Sequence, residues 1–270
     1  MLIDTMPISE TQSALDKSIE SDSFKTLIHQ REENGNYSFV GLSENVFDVS
    51  TQNYMYDYLE TMEFYGGVTS FGEIPREQAW FYDGGGNFGD RAKWSDLENP
   101  RWIARMYNPQ LYSIQERVQK WYDDTFYRMG DKLTGVNTGA VFDSILLNKY
   151  RGFGDSIKPH RDSEEIFGDN PTVLILSLGC PREIIFYRII YDKENPNSMK
   201  RDNMFEGKHS FKVSLSSGSV LVMGGEVQKY YSHEIKKVKE RVLMVNGGGG
   251  GGLGGDIRYS LTFRQYENLG

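Results

Sequence analysis

From Val141 to Phe263 the chain is a succession of short runs rich in branched and aromatic residues, and no long helical pattern interrupts them. The runs are Ile145-Leu146-Leu147, Val173-Leu174-Ile175-Leu176, Ile184-Ile185-Phe186-Tyr187, Phe211-Lys212-Val213, Val220-Leu221-Val222 and Tyr259 to Phe263, with turn residues such as Ser216-Ser217-Gly218 between them. Side chains of this kind suit a pleated surface that packs on one or both faces. Strands of this length and spacing predict a β-sandwich or jelly roll. At 270 residues, 38% of them apolar, the chain can bury a real core. The run Gly247 to Gly252, followed by Leu253-Gly254-Gly255, cannot pack and reads as a loop inserted before the last strand.

Upstream the pattern is weaker. Residues Ser9 to Glu33 are polar with scattered Leu15, Ile19 and Leu27, a faint helical pattern that ends near Asn34-Gly35-Asn36. Between Phe39 and Tyr82 short aromatic and β-branched stretches alternate with Gly66-Gly67 and Gly72, which predicts strands and hairpins. Asp83-Gly84-Gly85-Gly86-Asn87 then breaks regular structure, and it lacks the strand-to-helix setting and Lys-Ser/Thr of a phosphate loop. After Pro109, Leu111, Ile114, Val118, Trp121 and Phe126 recur at helical intervals, so an amphipathic helix is expected against a sheet.

The net charge of -8 is unevenly placed. Residues 1–63 hold 12 of the 38 acids and 3 of the 30 bases, which leaves 26 acids against 27 bases in the remainder. Residues 1–63 are therefore expected to be an acidic extension and 64–270 the folded domain. A near-neutral body with basic stretches such as Lys236-Lys237-Val238-Lys239 is compatible with a phosphate backbone, and equally with a solvated charged loop. A single cysteine, Cys180 in an apolar run, excludes an internal disulfide and any multi-cysteine metal site. No apolar window reaches membrane-spanning length and the first residues lack a signal-peptide pattern, so a soluble, intracellular protein of cytoplasm or nucleus, acting as a monomer, is expected.

Two clusters carry chemistry. His160-Arg161-Asp162 sets two ligand types two residues apart, on one face of an extended segment, and His233 in Tyr231-Ser232-His233-Glu234 can supply a third from a neighbouring strand. Two imidazoles and one carboxylate on one side of an octahedron leave open positions for a cosubstrate and dioxygen, as in non-haem iron oxygenases. In Arg258-Tyr259-Ser260-Leu261-Thr262-Phe263-Arg264 both arginines share one face of a strand with Ser260 and Thr262. Either they lie exposed on an edge strand, or they face inward and require anionic partners such as the carboxylates of a small dicarboxylate. His29 and His209 read as solvated.

The order Asn148-Lys149-Tyr150, Pro159-His160-Arg161-Asp162-Ser163-Glu164-Glu165, His233 and Arg258 to Arg264 resembles the AlkB family of Fe(II)- and 2-oxoglutarate-dependent dioxygenases. Pro75-Arg76-Glu77-Gln78-Ala79-Trp80-Phe81 also resembles a strand that precedes the substrate lid in DNA-repair members, so the likeness covers about residues 70–266. It implies a double-stranded β-helix, mostly β with flanking helices, and a lid over residues 66–105. It makes His160, Asp162 and His233 the iron ligands. Arg258 with Tyr150 would hold the distal carboxylate of 2-oxoglutarate, and Arg264 with Asn148 its metal-proximal end. Glu164 would read the edge of a methylated base, and Trp80 or Phe81 would stack near it. Arg76 and Arg161 either touch phosphate or are simply exposed. Phe71 is the candidate for an apolar finger, while Ser260 and the glycine-rich insertion depart from the family pattern. The implied reaction is oxidative demethylation of 1-methyladenine or 3-methylcytosine in alkylated DNA, the base being single-stranded or flipped. An oxygenase acting on RNA or a protein side chain, and a non-catalytic β-sandwich binding module, stand as alternatives.

Overall fold

The computed structural model describes residues 24–69, 72–86, 98–129, 137–162, 164–189, 210–238 and 255–266. Strands β1 (Lys25–Arg31), β2 (Tyr37–Ser43), β5 (Glu77–Tyr82), β6 (Ser144–Tyr150), β8 (Val173–Gly179), β11 (Val220–Gly225) and β13 (Arg258–Arg264) form one sheet in the order β1-β2-β11-β8-β13-β6-β5. A second sheet runs β10-β9-β12-β7, from β7 (Ile157–His160), β9 (Arg182–Arg188), β10 (Ser210–Leu215) and β12 (Tyr231–Ile235). Every pairing between these strands is antiparallel. Strands β3 (Val68–Thr69) and β4 (Gly72–Glu73) make a small separate hairpin. The expected mostly-β jelly roll is thus the observed architecture.

The alternation of side chains builds three layers. Val173 and Ile175 of β8 and Leu221 and Met223 of β11 point between the sheets, where they meet Ile184, Phe186, Val213 and Ile235 of the small sheet. The intervening residues Leu174, Leu176, Val220 and Val222 face outward, against helices α1 (Val49–Glu60) and α2 (Pro109–Met129). Helix α2 presents the five predicted residues Leu111, Ile114, Val118, Trp121 and Phe126, all buried. Helix α1 starts at Asp48, whose side chain accepts the Thr51 N–H at 2.7 Å and so satisfies one of the free donors of the first turn. Gly179, at φ +87°, ends β8 where a Cβ would meet the Ile257 carbonyl oxygen at 2.4 Å, so only glycine lets β13 begin this close to β8.

The expected boundary at residue 63 is corrected by this arrangement. Lys25–Arg31 is a strand and not part of a helix, Val49–Glu60 is a helix within the stretch predicted to be strands, and β2 pairs directly with β11 inside the large sheet. Phe39 and Val40 of β2 and Leu59 of α1 have no exposed surface. Glu32, in the β1–β2 turn, is buried and takes the Arg188 guanidinium on both oxygens, Nη1 at 2.7 Å, which ties this hairpin to β9 of the other sheet. The polar composition misled because β1 is an edge strand with mostly exposed side chains. Residues Ser9 to Ser23, Phe71, His209 and Gly247 to Gly254 lie outside the described residues.

Deleting residues 1–63 is therefore expected to abolish cooperative unfolding, and Phe39→Ala alone to cost about 3–5 kcal/mol in a denaturant titration. A truncated chain that keeps a sharp thermal transition would restore the boundary at residue 63.

Candidate active site

Strand β7 lies at the edge of the small sheet beside β12, and the register sets His160 directly opposite His233. Their ring centroids are 4.3 Å apart. The Nδ1 of His160 lies 3.0 Å from the Lys158 carbonyl oxygen, a contact that requires the proton on Nδ1 and leaves the Nε2 lone pair available to a metal. Burial lowers the pKa of both imidazoles, so both are neutral at physiological pH.

Asp162 completes the cluster from the residues just after β7. Its carboxylate accepts Nη2 of Arg264 at 2.5 Å and Nε2 of Gln228 at 3.3 Å, while its backbone N–H donates to Oε1 of Gln228 at 2.9 Å. Burial acts to raise its pKa, but Arg264 and the two imidazoles outweigh burial and hold it below the ordinary carboxylate range. Among the described residues no group of three His, Cys, Asp or Glu side chains stands in metal-holding geometry, and the Asp162 carboxylate lies against Arg264. The donor set still suits Fe(II): two neutral imidazoles and an ionised carboxylate, brought to one place by a strand pair, with Gln228 orienting the carboxylate.

The second cluster lies on β13. Tyr259, Leu261 and Phe263 pack under the helices, and Arg258, Ser260, Thr262 and Arg264 turn to the opposite face, all of them buried. The exposed edge-strand alternative for the arginines is thus ruled out. Arg258 is 1% exposed. Its Nη2 donates to Oγ of Ser177 at 2.9 Å, and its Nε and Nη1 are buried without a hydrogen-bond partner among the described residues. Its guanidinium carbon lies 5.1 Å from the centre of the Tyr150 ring, and burial lowers its pKa to about 10, so it keeps its charge at neutral pH. A buried guanidinium with two unused donors is a fitting seat for a carboxylate of 2-oxoglutarate.

Other expected residues are placed differently. Arg264 is engaged by Asp162, whereas Asn148 Oδ1 accepts Arg76 Nε and Gln78 Nε2, both at 2.9 Å. Arg76 also reaches the Ser156 carbonyl at 3.4 Å, so its guanidinium is turned into the fold next to Asn148. Phe81 cannot stack on a substrate here. Successive residues of a strand point to opposite faces, and Phe81 lies with Ala79 in the core beneath α2. Trp80 is on the site side, fully buried with Leu146, Ile166 and Phe167. Glu164 is exposed, two residues beyond Asp162.

An aromatic wall that sequence reasoning missed extends this side outward. Tyr82 stacks on Trp80 at 5.9 Å, Tyr266 lies 4.6 Å from Tyr82 and 5.3 Å from Trp80, and Phe167 sits under Arg264 at 4.7 Å. Tyr82 and Tyr266 are each two residues beyond a site-side residue, Trp80 and Arg264, so the same period-two rule could have found them.

The model of the 2OG-Fe(II) oxygenase superfamily matches residues 5–264 of the chain. The chain belongs to this superfamily. It is thus an oxygenase domain whose cofactors are Fe(II) and 2-oxoglutarate, and the non-catalytic binding module is set aside. Its sequence is similar to DNA oxidative demethylase ALKBH2 of Arabidopsis thaliana, 29% identical over 114 residues that cover 40% of this chain and 36% of that protein. It is also similar to Alpha-ketoglutarate-dependent dioxygenase alkB homolog 3 of Homo sapiens, 27% identical over 52% of this chain and 39% of that protein. The matched stretch therefore spans well under half the length of these relatives. The fold of this oxygenase is also that of the solved structure of OsALKBH1, at a TM-score of 0.51 and 17% identity over 84% of this chain and 97% of that one. Among the described residues, no helix is long and apolar enough to cross a membrane.

Replacing Arg264 by Leu should leave Asp162 buried and unpaired, with a loss of about 3–5 kcal/mol in the metal-free protein at pH 7. Because the native carboxyl pKa is depressed, the pair's contribution is present above the unfolded value of about 3.9 and fades as pH falls through the native one. The gap between variant and wild type should accordingly shrink on acidification in urea titrations. A gap that stays constant down to acid pH would show that the carboxylate does not depend on Arg264.

Proposed function

We propose that this domain is an AlkB-type nucleic-acid demethylase that removes N-methyl groups from damaged bases, of the 1-methyladenine or 3-methylcytosine kind, in DNA. In this reading His160, Asp162 and His233 hold the iron, and Arg258 grips the distal carboxylate of 2-oxoglutarate. The observation that carries it is the pairing of a metal-type donor set on β7 and β12 with a buried, incompletely bonded Arg258 on β13. The half-buried rings of Tyr82 and Tyr266, packed on the fully buried Trp80, support a flat aromatic substrate, since a base taken out of its stack regains stacking on such rings. The name of one similar protein, a DNA oxidative demethylase, agrees with this substrate class, and that of the other, an alpha-ketoglutarate-dependent dioxygenase, agrees with the reaction type.

When bound, Fe(II) and 2-oxoglutarate supply the oxidation: dioxygen is consumed, the cosubstrate leaves as succinate and carbon dioxide, and the methyl carbon becomes a hydroxymethyl group released as formaldehyde. The chain's own residues do the positioning. The neutral imidazoles offer lone pairs, Gln228 keeps the Asp162 carboxylate oriented, and Arg258 fixes one end of the cosubstrate by its planar fork. Exclusion of water by the surrounding rings strengthens each of these charge interactions. Glu164, exposed two residues beyond Asp162, is the acidic partner for a cationic methylated base in this proposal.

The direct test is incubation with Fe(II), 2-oxoglutarate and oligonucleotides carrying single N-methylated bases, in DNA and in RNA, read by mass spectrometry. Loss of the methyl group from DNA is expected, and Asp162→Ala should abolish it with the circular dichroism spectrum unchanged. Turnover confined to RNA would transfer the proposal to that polymer. No loss from any oligonucleotide, with succinate still formed, would move the substrate to a protein side chain. For the cosubstrate, Arg258→Ala should weaken 2-oxoglutarate binding by roughly two to three orders of magnitude with Mn(II) in place of Fe(II), and Arg258→Lys by less.

A further inference from the structure

Arg182, the first residue of β9, is 3% exposed and bonds to no carboxylate among the described residues. Its Nη2 donates to the Asp155 carbonyl at 2.8 Å and the Lys236 carbonyl at 2.5 Å, and its Nη1 to the Gly152 carbonyl at 3.2 Å. The nearby carboxylate of Asp155 is taken instead by Arg151, through Nε at 2.9 Å and Nη2 at 3.1 Å. Arg182 also lies 5.6 Å from the centre of the Tyr150 ring, the same ring that Arg258 approaches at 5.1 Å. Burial lowers the pKa of both guanidiniums.

These contacts converge on one place. Gly152 and Asp155 belong to the loop from β6 to β7, which leads to His160, and Lys236 follows β12, which carries His233. Tyr150 ends β6 and is the cross-strand partner of Arg258. One planar fork thus fixes the ends of three segments around Tyr150 and adds a second positive charge beside Arg258. A neutral residue in this position would take the side-chain donor away from the Asp155 and Lys236 carbonyls, leave the Gly152 carbonyl with the Asp155 N–H alone, and remove the guanidinium beside the Tyr150 ring.

We propose that Arg182 is a positioning residue for the distal-carboxylate end of the cosubstrate site, acting through Tyr150 and the carbonyls it holds. It sets how strongly Arg258 recognises a dicarboxylate over a monocarboxylate. The proposal rests on the reading of Arg258 as the carboxylate seat, and the test separates the two.

The experiment measures binding of 2-oxoglutarate and of 2-oxobutyrate, which lacks the distal carboxylate, to the Mn(II)-loaded full chain. Wild type, Arg182→Gln, Arg182→Lys, Arg258→Ala and the double variant Arg182→Gln/Arg258→Ala are compared. Arg182→Gln should weaken 2-oxoglutarate binding by roughly tenfold to hundredfold, with 2-oxobutyrate and Mn(II) affinities nearly unchanged. Arg182→Lys should recover part of the loss, and it carries the test if the Gln variant fails to fold. In the Arg258→Ala background the Arg182 effect should largely vanish, as for two residues that act on one contact. Equal weakening of both ligands, or unchanged preference with a lowered melting temperature, would make Arg182 a structural staple and overturn the proposal. Failure of the Arg258 reading is a different result: Arg258→Ala alone would then leave the preference for 2-oxoglutarate intact.

Discussion

The two-residue alternation of β13 is the constraint around which the rest is arranged. The strand is central in the large sheet, with β8 on one side and β6 on the other, and all seven of its residues are buried. One face supplies Tyr259, Leu261 and Phe263 to the core beneath the helices. The other must then place two guanidiniums in a protein interior, where a lone charge is strongly disfavoured. A slip of one residue would turn the arginines into the apolar layer and the aromatic rings into the site. The register is accordingly fixed by both faces at once.

The two arginines meet this constraint in opposite ways. Arg264 finds an internal anion in Asp162, so one end of the site is neutral without any ligand. Among the described residues Arg258 donates to the Ser177 hydroxyl and lies beside the Tyr150 ring, with a second guanidinium, Arg182, near it and no carboxylate bonded to it. The difference is functional in kind. A site that takes a dicarboxylate needs a cation left incompletely bonded at the far end, whereas a carboxylate intended for a metal gains from a temporary cationic partner. Rigid strands are well suited to holding both arrangements, since neither β7 nor β12 can shift without breaking the ladder that sets His160 opposite His233.

Much of this was legible in the sequence because it rests on periodicity. The spacing of His160 and Asp162, the shared face of Arg258 and Arg264, and the apolar stripe of α2 are each consequences of a period of two or 3.6 residues. What failed was burial. Edge strand β1 is polar because its side chains are exposed, so nothing in its composition shows that β2, next to it, is sealed into the sheet. Phe81 and Trp80 are both plausible stacking residues by type, and only the pairing of β5 with β6 decides which face each takes. Arg182 was invisible for another reason. Its hydrogen-bond partners are backbone carbonyls of Gly152, Asp155 and Lys236, groups that every sequence contains and that only the fold brings together.

In the proposed reading of Arg258 as the carboxylate seat, its incomplete hydrogen bonding also ties the stability of the domain to its cosubstrate. With a pKa lowered to about 10 it remains charged at neutral pH, so its desolvation is not relieved by loss of a proton. The folded chain therefore carries that unfavourable term until an anion arrives. A carboxylate that binds there interacts only with the native state, because the unfolded chain does not hold Arg258, Tyr150 and Ser177 together. Any such ligand must raise stability by mass action, by about 2.7 kcal/mol at a hundredfold excess over its dissociation constant. In that reading the same buried cation that lowers the stability of the empty domain is what would make the folded state respond to the cosubstrate.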